Sequence, residues 1–137
     1  MNIKIEHRNP LVDEYQLLRG STGWETLSDE AVKKGMQGSL FSVCFTVGGK
    51  IAATGRIVGD GAVYFYIQDV IVLPDFQRTG LGDMVMEELE AWLLDNAYEN
   101  SFIGLMASEG VKKFYVRFGY QERAENKPGM YKLAKME

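Results

Sequence analysis

Val70-Ile71-Val72-Leu73-Pro74-Asp75-Phe76-Gln77-Arg78-Thr79-Gly80-Leu81-Gly82 reads as the end of a strand, a stop, and the opening of a helix. Pro74 has no N–H for a ladder and ends the strand. From Gly80 to Asn96, Leu81, Met84, Val85, Leu89, Trp92 and Leu93 recur at helical spacing, the clearest helix in the chain. A helix start presents unpaired N–H groups and the positive end of the macrodipole. Gly80 and Gly82 let a ligand approach that backbone closely, and Arg78 adds a positive charge. Together these suit a phosphate or pyrophosphate. A Walker A loop is excluded because Gly82-Asp83-Met84 replaces its Gly-Lys-Ser/Thr. The dinucleotide fingerprint is excluded because its third glycine or alanine is Val85. The alternative reading is that the glycines serve only tight strand-to-helix packing.

Upstream of this turn, Val63 to Leu73 is the longest strand candidate, apolar on both parities as in a strand covered on both faces. Asp60-Gly61 is a hairpin signal joining it to Ile51–Val58, and Gly48-Gly49 joins that segment to Phe41–Val47. Asn2–Glu6 alternates as a short strand. Pro10 opens a helix striped by Leu11, Tyr15 and Leu18 and ended by Gly20 to Gly23. Ser28-Asp29-Glu30 caps a second helix that runs out at Gly35 to Gly38. Downstream, Phe102–Ala107 is a short strand. Ser108 reads as the N-cap of a helix with Val111, Phe114, Tyr115 and Phe118, closed by Gly119, and Met130 to Leu133 reads as a last strand. The expected fold is therefore mixed α+β: a central, twisted, mostly antiparallel sheet of about six to seven strands with about four helices on its faces. Residues 1–137 are expected to form a single domain.

Composition narrows the function. The chain has 137 residues, 46% hydrophobic and 25% charged, an ordinary globular mixture. With 15 basic and 19 acidic residues the net charge is −4, so the overall basic footprint of a nucleic-acid binder is missing. Cys44 and His7 are the sole cysteine and histidine, which excludes an internal disulfide and a Cys/His zinc site. No apolar run is long enough for a membrane span, and the charged first ten residues lack a signal peptide's apolar stretch. A cytoplasmic setting with no membrane partner is the expectation.

Phe114-Tyr115-Val116-Arg117-Phe118-Gly119-Tyr120 forms a second constellation. Phe114 and Phe118 read as packing residues. Tyr115 shares their face and carries a hydroxyl able to protonate a leaving thiolate. Gln77-Arg78-Thr79-Gly80-Leu81-Gly82 resembles the Gln/Arg-x-x-Gly-x-Gly/Ala signature of the GCN5-related N-acetyltransferases (GNAT family). Asp69 to Pro74 resembles their fourth strand, and Phe114-Tyr115-x-x-x-Gly119-Tyr120 their later Phe-Tyr-x-x-x-Gly-Phe motif, with tyrosine in the last place. The resemblance in element order covers nearly the whole chain.

That resemblance implies acetyl-CoA as co-substrate, no metal, and direct transfer of the acetyl group to an amine. It implies backbone contacts from Val70, Ile71 and Val72 to the pantetheine and acetyl carbonyl. It places the pyrophosphate on Gln77, Arg78, Thr79, Gly80, Leu81, Gly82 and Asp83. Phe114 belongs with the cofactor contacts. Ser108 stands where relatives often carry an asparagine that touches the cofactor, a departure from the pattern. Tyr115 becomes the acid for the departing thiolate. Asp69 is the candidate base, since a carboxylate in an apolar strand is costly to bury unless it is paired or borders a wet cleft; a purely structural, hydrogen-bonded Asp69 is the alternative. Gln68 is a candidate to position a water, with Glu25 and Asp29 as further carboxylates.

The acceptor site of the family implies contacts from Trp24, Tyr66 and Met130, with Phe65 and Tyr131 as further aromatics. Such rings suit an arylalkylamine or another cation. The stretches Val63–Tyr66, Gln68-Asp69 and Pro128-Gly129-Met130-Tyr131 resemble small bacterial acetyltransferases and the plastid arylalkylamine and lysine acetyltransferases of plants. The expected activity is N-acetylation of a small amine such as an arylalkylamine or polyamine. The alternatives are acetylation of a protein lysine or N-terminal amine, and a non-catalytic CoA-binding module. A homodimer is an expectation of the resemblance alone.

Overall fold

A computed structural model describes residues 1–136. The elements run β1 (Ile3–Glu6), α1 (Val12–Gly20), α2 (Asp29–Gln37), β2 (Phe41–Val47), β3 (Lys50–Gly59), β4 (Tyr64–Val72), a single 3-10 turn (Pro74–Phe76), α3 (Leu81–Asn96), β5 (Phe102–Gly104) and α4 (Lys112–Val116). They fall into two compact units, Met1–Leu105 and the segment from Met106 onward.

The first unit holds one five-stranded sheet in sequence order, antiparallel from β1 to β4 and closed by a parallel β4–β5 pair. Hairpins join β2 to β3 and β3 to β4, α1 and α2 intervene between the antiparallel neighbours β1 and β2, and the α3 crossover makes the β4–β5 pair parallel. In the β3–β4 hairpin the Asp60 carboxylate accepts the N–H groups of Ala62, Val63 and Tyr64, which shapes the turn that Asp60-Gly61 predicts. α3 lies on the sheet over β2, β3 and β4, burying Leu81, Val85, Met86, Leu89 and Leu93. It approaches closely at Gly55, where a Cβ would stand 2.5 Å from Val85 Cγ1. Trp92 packs against Phe65 and stacks on Phe41. α1 and α2 pack together on the other face, with Tyr15, Val32 and Met36 between them. Leu18 of α1 joins Cys44, Ile51 and Ile71 beneath.

α1 begins two residues later than its proline suggests, at Val12. Pro10 precedes the N-cap, Leu11, whose N–H is held by Glu14. Leu11 is 62% exposed and no part of the stripe; Tyr15 and Leu18 form it. Glu14 also takes a bidentate pair from Arg8, tying the start of α1 to the exit of β1. Ser28 caps α2 through Ala31 N–H, as expected.

The sheet has five strands, not six to seven. β5 stops at Gly104 and does not reach Ala107. Met130 to Leu133 is not a strand; the second unit contains no other strand for it to pair with among the described residues. Ser108 is not the N-cap of α4; that position belongs to Val111, whose N–H bonds the Ser108 carbonyl. Gly119 does take the left-handed position after α4, at φ +94°.

Candidate active site

β4 changes character half-way along. Its first residues pair with β3 on one side and with β5 on the other, as far as Tyr66 opposite Gly104. Beyond Tyr66 the strand continues to Val72 with β3 alone. The ladder carries Thr54 opposite Ile71 and Arg56 opposite Gln68, so Asp69 and Val70 together face the single residue Gly55. That is a β-bulge. Asp69 sits in it with φ +55°, a left-handed backbone unusual outside glycine.

The bulge inverts the strand. Before it, Phe65 packs on Trp92 of α3. After it, Ile71 packs with Leu18 of α1. Burial nevertheless recurs at every second residue, Phe65, Ile67, Asp69 and Ile71. The half-buried residues of this strand, Tyr66, Gln68, Val70 and Val72, occupy the other positions.

Asp69 is 7% exposed, and both carboxylate oxygens are engaged. Oδ1 accepts the Tyr15 hydroxyl at 3.0 Å, and Oδ2 accepts Arg56 Nε at 2.9 Å. Arg19 Nη1 lies 4.0 Å from Oδ1 and donates to the Tyr15 oxygen at 2.9 Å. Arg56 continues to the Ser39 hydroxyl and the Gly35 carbonyl. Burial, and then the charge of Asp69, push the Tyr15 phenol above its ordinary range, so it remains a donor. Both carboxylate oxygens are thus engaged, one by a phenol and the other by a guanidinium.

Past Val72, the Gln77 side chain returns to the Val72 carbonyl and the Thr79 hydroxyl to that of Phe76, which fold the connection tightly. Arg78 and Gly80 are left-handed, at φ +64° and +89°. A Cβ at Gly80 would meet nothing within 4 Å, so this glycine is required by its backbone and not by packing. The first helical bond of α3 runs from Met84 N–H to the Gly80 carbonyl, so the turn before it is an ordinary helix start. Gln77, Arg78, Thr79 and Gly80 are exposed, Gly82 and Asp83 half-buried, and Leu81 is buried in the core. An open, glycine-hinged helix start fits the anionic pyrophosphate of a CoA ester.

On the α1 side of this connection, a groove of about 500 Å³ runs between Gln16, Leu17 and Gly20 and the segment Leu73–Phe76, with Asp75 among its lining residues. Trp24, 37% exposed in the loop after α1, carries the Arg19 guanidinium 5.5 Å above its ring. Arg19 Nε also holds the Glu25 carbonyl. Tyr66 is half-buried; its ring and that of Phe102 crowd the space above Gly104. Phe65 is fully buried and cannot touch an acceptor. Asp29 accepts from Gln16.

In the second unit, Phe114 stands edge-on to Tyr115 and Phe118, and Tyr115 to Tyr120. Arg117 covers Phe114 and Phe118. Burial pushes the Tyr115 phenol above its ordinary value, which keeps it protonated. Ser108 is exposed, and Met130 and Tyr131 are 86% and 77% exposed. Among the described residues there is no group of metal ligands, and no helix is long and apolar enough to cross a membrane.

Sequence reasoning singled out Asp69 but missed its partners Tyr15, Arg19 and Arg56. It also missed Gly55, on which the seating of α3 depends.

Comparison with known proteins gives a consistent picture. The family model described as "Acetyltransferase (GNAT) domain" matches residues 14–129. An N-acetyltransferase of Porphyra purpurea, ycf52, is 32% identical over 124 residues, covering 86% of this chain and 69% of that protein. The chloroplastic serotonin N-acetyltransferase 2 of Oryza sativa is 39% identical over 72 residues, covering 53% of this chain and 35% of that protein. The crystal structure of a probable acetyltransferase from meticillin-resistant Staphylococcus aureus superposes with a TM-score of 0.91 at 29% identity, covering 96% of this chain and 99% of that one.

Proposed function

The chain belongs to the GNAT acetyltransferase family, and from that premise we propose that it transfers the acetyl group of acetyl-CoA directly to a small primary amine. The observation that carries this reading is the continuous path from the open edge of β4, past its bulge, to the glycine-hinged start of α3. We read residues 1–137 as a single catalytic domain.

The roles of the residues are those the family resemblance implies. Main-chain groups of Val70, Ile71 and Val72, on a strand half without a second neighbour strand in the sheet, bind the pantetheine arm and the acetyl carbonyl. Main-chain N–H groups from Arg78 to Asp83, with the positive end of the α3 dipole, hold the pyrophosphate, Arg78 adds its charge, and Gln77, its own N–H bonded to the Pro74 carbonyl, shapes the loop. Ser108 and Phe114 complete the contacts to the co-substrate. A donor fixed in this way stabilises negative charge at the carbonyl oxygen during transfer.

The amine must be neutral to attack, so its proton passes to water. A C–N bond forms as the C–S bond breaks; Tyr115 donates its proton to the departing sulfur and regains one, by way of water, as the acetylated nitrogen loses its extra proton. Trp24 and Tyr66 contact the acceptor. The groove beside Leu17 and Phe76, with Asp75 on its wall, supports a small cationic acceptor with an apolar body.

Mass spectrometry of reactions containing acetyl-CoA and candidate amines tests the reading. An acetylated small amine formed in proportion to enzyme is expected. Acetylation confined to a protein lysine or N-terminus, with no small-amine product, would overturn it.

A further inference from the structure

We propose that Asp69 is a positioning residue: its salt-bridged, left-handed conformation sets the bulge of β4, and Arg19 ties the loop of Trp24 to the same carboxylate. This rests on the acetyltransferase reading of the β4 edge.

A non-glycine residue at φ +55° is a strained choice in the middle of a strand and persists only where its surroundings hold it. Here the surroundings are explicit. Tyr15 comes from α1, Arg56 from β3, and Arg19 from the end of α1. Without the extra residue, the alternation of the strand would turn the Asp69 carboxylate toward the apolar face of α3 and move Ile71 out of the Leu18 cluster. With it, the carboxylate meets its three partners, and the half-strand that follows presents its backbone in the inverted sense. The side chain therefore acts on the reaction through the backbone of Val70 to Val72.

Arg19 gives the same carboxylate a second task. One guanidinium approaches Asp69, donates to Tyr15, holds the Glu25 carbonyl and covers the Trp24 ring. The loop between α1 and α2 is thereby indexed to the bulge, not merely tethered to its own helix.

The test compares Asp69→Asn, Asp69→Gly and Asp69→Ala with the wild type. The measurements are acetyl-CoA affinity by calorimetry, kcat and amine KM across pH, and melting temperature. Asparagine and glycine accept the left-handed backbone more readily than alanine. Expected are kcat/KM losses of about three- to tenfold for Asn, rising through Gly to about thirty- to a hundredfold for Ala, with the pH limbs of the wild type retained. Equal inactivation of all three with loss of the acidic limb would make Asp69 a base and overturn the proposal. Lowered melting temperatures with wild-type kcat and KM would reduce it to a stabilising residue and also overturn it.

If these variants do not fold, Arg19→Met decides, since it leaves the Asp69–Arg56 pair in place. Expected is an amine KM raised about five- to tenfold with kcat within about twofold, and partial rescue by Arg19→Lys; an unchanged KM overturns the link to the loop. Acetyl-CoA binding by the wild type is measured first. Its absence would refute the acetyltransferase reading itself, separately from the role of Asp69.

Discussion

The connection from β4 to α3 and the aromatic cluster around α4 offer different kinds of atoms to chemistry. The first offers main chain: a bulged strand with an open edge, a glycine at φ +89° and the start of a sixteen-residue helix. Its shape is held from beneath by buried residues and by the Asp69 ion pair. The second is a cluster of rings around a five-residue helix, from which the proposed mechanism takes one side-chain oxygen, that of Tyr115. Main-chain donors bind and orient, are indifferent to most side-chain changes, and fail when the backbone is strained. A side-chain acid fails at once when its oxygen is removed, whatever the backbone does. The two regions should therefore respond to opposite kinds of substitution.

The largest effect is expected at Tyr115. Tyr115→Phe should lower kcat by about a hundredfold or more while leaving acetyl-CoA affinity within a few-fold, read by steady-state kinetics and calorimetry. Burial raises the phenol's pKa, so the protonated phenol persists to higher pH. The wild-type alkaline limb should therefore lie above the ordinary phenol value of about 10 and vanish in the variant. An unchanged kcat would remove the side-chain half of the comparison.

Gly80→Val comes next, since a β-branched residue is strained at φ +89° although the space is open. Acetyl-CoA affinity should fall about tenfold to a hundredfold in a protein that still melts cooperatively. Retained affinity would place the pyrophosphate elsewhere.

Gly55→Ala sharpens the same point from below. Its Cβ would enter Val85 and Leu89, pressing α3 off the sheet, at a cost of about 1–3 kcal/mol in a denaturant melt. A variant as stable as the wild type would show that α3 is not seated through Gly55.

The smallest effect is expected at Arg78, an exposed side chain on a left-handed backbone. Arg78→Gly removes the charge while easing the conformation, and should weaken acetyl-CoA binding only about two- to fivefold, with a reduced salt dependence. A loss as large as that of Gly80→Val would mean that the loop binds through its side chain.

Much of this architecture is legible in local patterns. Ser28 announces α2, the apolar spacing from Leu81 announces α3, and Gly119 announces the end of α4. The bulge was hidden because burial keeps its two-residue period through Phe65, Ile67, Asp69 and Ile71 while the face changes. The partners of Asp69 were hidden by distance along the chain, Tyr15 standing 54 positions away. A signal existed for Arg56. It is a charged residue in a β-rich run, thirteen positions from Asp69 across a hairpin whose Asp60-Gly61 turn was recognised. Two opposite charges in adjacent apolar strands call for each other. The last strand expected at Met130 to Leu133 failed for the converse reason: β-type residues form a strand only where another backbone is there to pair with them.

Release of free CoA from acetyl-CoA, followed over a panel of arylalkylamines, polyamines, amino sugars, amino acids and a lysine peptide, tests the central claim most directly. The account predicts turnover well above the no-amine background for one class of small amine. Background rates with every amine, in a protein that binds acetyl-CoA, would contradict it.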